Sequence, residues 1–153
     1  MHIRPFRTED TGQVVALWES AGLTRPWNDP YKDIERKLLV QPELFVVAVD
    51  DGTGSVIGVV MAGYEGHRGW MNYLAASADR RGLGIGRALV EHVEKELTAV
   101  GCPKLSLLVR SDNAQVVEFY SHLGFSVDDA VTLGKRLIEE LPGRTEIMNI
   151  TST

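Results

Sequence analysis

Residues Arg80-Arg81-Gly82-Leu83-Gly84-Ile85-Gly86-Arg87 set three glycines, alternating with aliphatic residues, between arginines. Glycine reaches positive φ and has no Cβ, so such a backbone can lie directly against a ligand. Ile85, Leu89, Val93, Leu97 and Val100 then recur at three- or four-residue spacing, with Glu91, Glu94, Lys95 and Glu96 mostly between them. That spacing predicts a helix of about four turns with one apolar face. No Ser, Thr, Asp or Asn stands where its N-cap would be. The first turn therefore keeps free N–H groups at the positive end of the helix dipole, a seat for a phosphate or pyrophosphate. The same glycines also suit a simple tight strand-to-helix connection. A P-loop is excluded, because Arg87-Ala88 follows Gly86 where Lys and Ser or Thr are needed. A dinucleotide fingerprint is excluded as well, because Arg87 stands where its third glycine belongs.

Other residues with chemical potential are scattered. The loop Leu23 to Pro30 carries Trp27 beside Asn28 and Asp29, stiffened by Pro26 and Pro30. These three could line a pocket. Alternatively, Trp27 anchors the loop to the core while Asn28 and Asp29 form a turn or cap the next helix. Glu65 and His67 lie in the glycine-flanked connection Gly63 to Gly69, and Tyr73 lies in the strand after it. Cys102 is the only cysteine and sits between Gly101 and Pro103, so it reads as structural. No internal disulfide is possible, which fits a reducing cytoplasm. No metal-ligand spacing is present.

These residues need a scaffold, and the chain supplies one in a definite order. Ile3 to Phe6 reads as a strand. Thr8 or Asp10 is placed to cap a helix with Val14, Val15, Leu17 and Trp18 on its apolar face, stopped at Gly22. A second helix is expected from Tyr31 to Leu39. Leu44 to Val49 and Val56 to Ala62 read as an antiparallel hairpin around Asp50-Asp51-Gly52-Thr53-Gly54. Trp70 to Ala75 is a strand leading into the glycine loop, and Lys104 to Val109 is a strand after the long helix. Ser111, Asp112 or Asn113 can cap a last helix in which Val116, Phe119, Tyr120 and Leu123 share a face, ended by Gly124. Phe125 to Val127 and Val131 to Ile138 read as two final strands. The expectation is an α+β domain over residues 1–141, with a polar tail at 142–153 lacking fixed structure. Its sheet is mostly antiparallel, with one parallel pair where the crossover from Trp70 to Val109 returns.

The whole-chain figures agree with this. The chain has 153 residues, enough to bury a core. Its apolar and charged shares, 44% and 24%, are ordinary for a soluble globular protein. The net charge is −5 and there is no basic run, which argues against a nucleic-acid partner. The opening residues show no signal peptide and no apolar run is long enough to span a membrane, so no membrane partner is expected.

Arg81, Gly84 and Gly86 satisfy Arg/Gln-x-x-Gly-x-Gly/Ala, which resembles the coenzyme A pyrophosphate loop of the GNAT N-acetyltransferases. Asn113-Ala114, Phe119-Tyr120 and Gly124-Phe125 resemble a second block of that family, in the right order and on matching elements. The element order is similar along nearly the whole chain. Arg25 to Pro30, Gly66 to Gly69 and Leu133 to Ile138 further resemble the YpeA-type bacterial subgroup. Ala76 and Ala78 depart from the family's common Val and Pro, both conservatively.

The resemblance implies a six- to seven-stranded sheet with splayed central strands and about four helices. It implies an acyltransferase that uses acetyl-CoA and a small-molecule or peptide amine acceptor, and family members are often homodimers. N–H groups from Arg81, Gly82, Leu83, Gly84, Ile85, Gly86 and Arg87 would hold the pyrophosphate. Leu74, Ala75 and Ala76 would hold the pantetheine and acetyl carbonyl through their backbones, with Asn113 adding a hydrogen bond. Tyr120 would be the general acid and would also contact the coenzyme. Glu65, His67, Tyr73 and Asp29 are candidates for the base, with Glu65 preferred. Trp27, Asn28, Asp29 and Tyr73 are the candidate acceptor contacts. A non-catalytic acyl-CoA-binding regulatory module is the alternative.

Overall fold

A computed structural model describes residues 1–140 in two units, residues 1–107 with Glu140, and residues 108–139. The first unit holds strands β1 (His2–Pro5), β2 (Phe45–Val49), β3 (Val56–Tyr64), β4 (Gly69–Ala76) and β5 (Leu105–Leu107). It also holds helices α1 (Thr11–Ser20), α2 (Pro30–Lys37) and α3 (Ile85–Ala99). The second unit holds α4 (Ala114–His122). The sheet order is β1-β2-β3-β4-β5, antiparallel throughout except for the parallel pair β4–β5. The expected α+β class, mixed sheet and four helices are all present.

Helices cover both faces of the sheet, and the alternation along β3 shows how. Val59 joins Phe45, Val47 and Met61 in a core with Val14, Val15 and Trp18 of α1 and Ile34 of α2. Its neighbour Gly58 faces the other way, where a Cβ would lie 2.6 Å from Ile85 Cγ2 and 2.9 Å from Leu89 Cδ1. Gly69 does the same at the far end of α3, against Leu97 Cδ1 and Cys102 Sγ, both at 2.9 Å. Missing side chains on the sheet thus let α3 lie close enough to bury Ile85, Leu89, Val90, Val93 and Leu97. Val100, placed on the same face by spacing, is exposed because the helix ends at Ala99.

Asp10 does not cap α1 with its side chain. Its buried carboxylate instead takes two bonds from the Arg4 guanidinium, at 2.7 and 3.0 Å, and one from the Arg7 N–H at 2.8 Å. A bidentate pair fixes β1 to the start of α1, and a buried carboxylate needs those partners more than the helix needs a cap.

The strands expected at Phe125–Val127 and Val131–Ile138 are absent, so the described sheet has five strands and not six to seven. Val127, Val131, Leu133 and Leu137 are each more than four-fifths exposed. β-branched and aliphatic content favours a strand only when a neighbouring ladder and a buried face reward it, and here neither does. The strand expected over Lys104–Val109 shrinks to Leu105–Leu107, because its ladder with β4 stops there. The expected tail, 142–153, lies outside the described residues.

Gly58 yields a direct test. An added methyl at this position would overpack Ile85 and Leu89, so Gly58→Ala should cost about 1–3 kcal/mol. For a chain of this size that lowers the unfolding midpoint by roughly 2–4 °C per kcal/mol. Differential scanning calorimetry reads it, and an unchanged midpoint would mean that α3 is free to shift off the sheet.

Candidate active site

Strand β4 carries the irregularity on which the site is built. Between Val59 and Met61, β3 has the single residue Val60, while the paired stretch of β4 between Ala75 and Asn72 has two, Tyr73 and Leu74. This is a β-bulge, and Tyr73 adopts φ +58° within it. A bulky residue in the left-handed region costs about 1–3 kcal/mol and persists only when its surroundings hold it there.

The surroundings do hold it. The Trp18 indole donates from Nε1 to the Tyr73 carbonyl at 3.1 Å and stacks on the Tyr73 ring with centroids 4.1 Å apart. The Tyr73 hydroxyl donates to Asp33 Oδ2 at 2.6 Å. The Asn28 amide bonds both that oxygen and the Tyr73 hydroxyl. Burial first, and then the Asp33 carboxylate, raise the Tyr73 phenol well above its ordinary value. Tyr73 is therefore a fixed, neutral phenol at physiological pH.

The bulge has two geometric results. Met61, opposite Asn72, and Ala75 lie in the core with the apolar face of α1, and Tyr73 packs against that core. The extra residue resets the alternation, so that both Asn72 and Tyr73 project to the α1–α2 face. Second, the β4–β5 ladder ends at Met71↔Leu107, whereas β4 continues to Ala76 with β3 alone as its partner. Leu74, Ala75 and Ala76 thus sit on a strand whose second edge has no ladder among the described residues.

After β4, a short 3-10 turn at Ala78–Arg80 leads into the glycine loop. Gly82 and Gly84 both have positive φ, +83° and +69°, and a Cβ on either would meet open space. These glycines are needed for backbone shape and leave the loop's surface clear. Gly84 is the N-cap of α3 and makes no side-chain cap. The first helix bond is Ala88 N to Gly84 O at 2.9 Å, which leaves the N–H groups of Ile85, Gly86 and Arg87 without helical partners. No acidic residue occupies that first turn, and Arg81, Leu83 and Arg87 are exposed around it. The donors, the dipole and the cleared surface fit an anionic pyrophosphate.

The loop before α2 resolves in favour of capping for Asp29. Its Oδ1 accepts from Tyr31 N at 2.9 Å and Lys32 N at 3.4 Å. Trp27 is half exposed, at 50%, so it is not the core anchor that its size would suggest. Glu140 closes this region, accepting from Asp29 N at 2.7 Å and from Arg36 Nη2 at 2.6 Å. The Asp29 N–H first, then Arg36, hold its carboxyl below the usual range. Asp33, Trp18 and Glu140 all shape the surroundings of Tyr73, and sequence alone did not single them out for that role. The available signals, a helix-face Trp and surface-type acids, look the same when they do nothing.

Glu65 is exposed in the β3–β4 turn, where its Oε1 accepts from Arg68 N at 2.8 Å. With Lys37, Tyr64, Trp70 and Asn72 it lines an open cleft of about 290 Å³ on the α2 side of the sheet. His67 is exposed in the same turn.

In the second unit, Asn113 is the N-cap of α4, its Oδ1 accepting from Val116 N at 3.3 Å. Tyr120 is buried between Phe119 and Phe125, both edge-on to it at 5.0 and 5.4 Å. Burial pushes its phenol up to about 12. Among the described residues no group of three or more His, Cys, Asp or Glu could hold a metal, and no helix is long and apolar enough to cross a membrane.

Comparison with known proteins bears on this arrangement directly. Residues 12–125 match the model of the acetyltransferase (GNAT) family. An acetyltransferase of Pectobacterium atrosepticum is 51% identical over 140 residues, covering 92% of this chain and 98% of the relative. The solved structure of Ard1 from Thermoplasma volcanium superposes with a TM-score of 0.74 at 24% identity, over 83% of each chain. The NatB acetyltransferase complex, solved with CoA and MES bound, superposes with the same score at 23% identity, over 84% of this chain and 85% of that one. These last two show the fold, while the family match and the close relative show the lineage. The chain belongs to the acetyltransferase (GNAT) family and is an acyltransferase.

Proposed function

We propose that this acyltransferase moves the acetyl group of acetyl-CoA to a primary amine by direct attack. The amine belongs to a small metabolite, a peptide N-terminus or a lysine. The observation that carries the reading is the β4 bulge, beyond which the β4–β5 ladder is lost while β4 runs on to Ala76. Backbone N–H and C=O groups without a ladder need partners, and an amide-rich pantetheine arm supplies them in the manner of an added strand. The CoA-bound NatB complex, of the same fold, supports coenzyme A as the ligand.

When bound, acetyl-CoA would supply the acyl group as an activated thioester, with the coenzyme A thiol as leaving group. The protein's own residues do the rest. Backbone groups of Leu74, Ala75 and Ala76 orient the acyl carbonyl, and an N–H there stabilises the negative charge that grows on its oxygen. The N–H groups from Arg81 to Arg87 bind the pyrophosphate. Asn113 and Tyr120 take their roles from the family block in which they stand. Asn113 bonds the pantetheine through the amide donors that its capping role leaves spare. Tyr120 keeps its proton at neutral pH and gives it up to the departing sulfur, as a general acid must.

Trp27, Asn28, Asp29 and Tyr73 frame the acceptor side. The amine arrives as an ammonium and must lose a proton before attack, and Glu65 in the neighbouring cleft is the carboxylate assigned to take it.

Ligand-dependent stability tests the coenzyme. At about a hundred times its dissociation constant, a ligand adds roughly 2.7 kcal/mol, several degrees for this chain. Acetyl-CoA and coenzyme A should raise the unfolding midpoint, whereas ATP and NAD should not. No shift with millimolar coenzyme A would remove the coenzyme reading. Once an amine screen by thiol release has found an acceptor, Tyr120→Phe should lower kcat by about 10²–10⁴. Its coenzyme A affinity should stay within about twofold, because Phe keeps the ring that contacts the coenzyme and loses only the proton needed in turnover. Since the phenol is raised, the wild-type rate should show no falling limb from Tyr120 up to about pH 10, its ordinary pKa. Full turnover by the Phe variant would exclude Tyr120 as the acid.

A further inference from the structure

The two arginines that enter the glycine loop are used differently. Arg80 donates from Nη1 to Asp50 Oδ2 in an ion pair. Arg81 is exposed and forms no ion pair among the described residues. Asp50 stands immediately after β2, and its other oxygen, Oδ1, accepts from Gly52 N at 2.8 Å and Thr53 N at 3.1 Å. The turn that carries it is itself closed, by Asp50 N to Ser55 O at 2.9 Å and Gly54 N to Asp50 O at 2.8 Å. The carboxylate is thus held in place by its own turn, with both oxygens engaged and only 17% of the side chain exposed.

The other end of the pair is equally tied. Arg80 N donates to Ser77 O at 3.1 Å, and Ser77 N donates to Ile57 O on β3 at 2.8 Å. The segment feeding the glycine loop is therefore fixed twice, to β3 through Ser77 and to the β2–β3 turn through Arg80. Exposed ion pairs usually contribute little, largely because two long side chains must be ordered to make them. Here the carboxylate is already ordered by backbone N–H groups, so that cost falls on Arg80 alone.

We propose that Asp50 is a positioning residue for the glycine loop. By clamping Arg80 it sets where Arg81 to Gly86 begin, and it withholds Arg80 from the bound phosphates. The ligand side of this proposal rests on the coenzyme A reading. The clamp itself does not, because it acts in the free protein. A loop held in its binding shape spares the ligand the work of ordering it.

The sign of the effect makes the proposal testable. Asp50 is an anion close to a site for anions, so by charge alone its neutralisation should tighten coenzyme A binding. The clamp requires the opposite. Asp50→Asn retains an acceptor for Gly52 and Thr53, removes the charge, and turns an NH2 donor toward Arg80 in place of the acceptor.

The experiment titrates coenzyme A calorimetrically into the full chain as wild type, Asp50→Asn, Arg80→Ala and the double variant. It also follows, without ligand, amide hydrogen exchange of Ser77 and Arg80, whose N–H groups are bonded to Ile57 O and Ser77 O at the entry to the loop. Each single variant should weaken binding roughly fivefold, and the double variant should weaken it no further, because both remove one interaction. Exchange at Ser77 and Arg80 should quicken in all three, with the unfolding midpoint nearly unmoved. If Arg80→Ala weakens binding while Asp50→Asn leaves it equal or tighter, Arg80 touches the ligand itself and the proposal is overturned. Unchanged exchange in Asp50→Asn overturns it too. A wild type that binds no coenzyme A defeats the coenzyme reading alone, and the exchange comparison still decides the clamp.

Discussion

The left-handed backbone at Tyr73 is the constraint on which the first unit turns. Its cost, about 1–3 kcal/mol, is comparable to a single good interaction. Three hold it. The Trp18 indole bonds its carbonyl, the Trp18 ring stacks on its ring, and Asp33 accepts from its hydroxyl in a charge-assisted bond. A net hydrogen bond contributes about 0.5–1.5 kcal/mol, one to a charged partner about 1.5–3, and an aromatic pair about 0.5–1.5. Together they match or exceed the strain, so the conformation is a stable state of this chain. Helices α1 and α2 therefore do more than cover the sheet, because between them they hold one strand residue in a conformation it would not choose alone.

Glycine plays two separate parts around that strand. Gly58 and Gly69 are close-approach residues with ordinary φ, and they bring α3 down onto β3 and β4. Gly82 and Gly84 are the reverse, in open space with positive φ, and they turn the chain from β4 into α3. The first pair decides how far the helix lies from the sheet, and the second how its uncapped N-terminus is presented. With glycine as its N-cap, this first turn forgoes only about a few tenths of a kcal/mol. Five buried apolar side chains along α3 offset that easily.

Local chemistry explains which parts of the fold were legible in advance. The α3 pattern, the β2–β3 hairpin, the Asp29 cap, the Asn113 cap and the open glycine loop all depend on neighbours within a few residues. They emerged where their periodicity and turn residues put them. Predictions failed where a distant partner decides. Asp10 is a good cap by type, yet Arg4 claims its carboxylate. Val131 to Ile138 is strand-like by composition, yet no ladder receives it among the described residues.

The candidate site divides in the same way. The amino-acid sequence by itself determined the family, the helix with a donor-rich N-terminus, and the positions of the loop glycines. Each of these is a matter of residue type at fixed spacing. Only the tertiary structure decided that Tyr73 bulges, that β4 loses β5 after Met71, and that Arg80 turns to Asp50 while Arg81 stays exposed. A positive φ at a non-glycine residue leaves no mark in its own type, because its energy comes from Trp18 and Asp33, 55 and 40 residues away. Two adjacent arginines likewise read alike until a carboxylate from another strand's turn selects one of them.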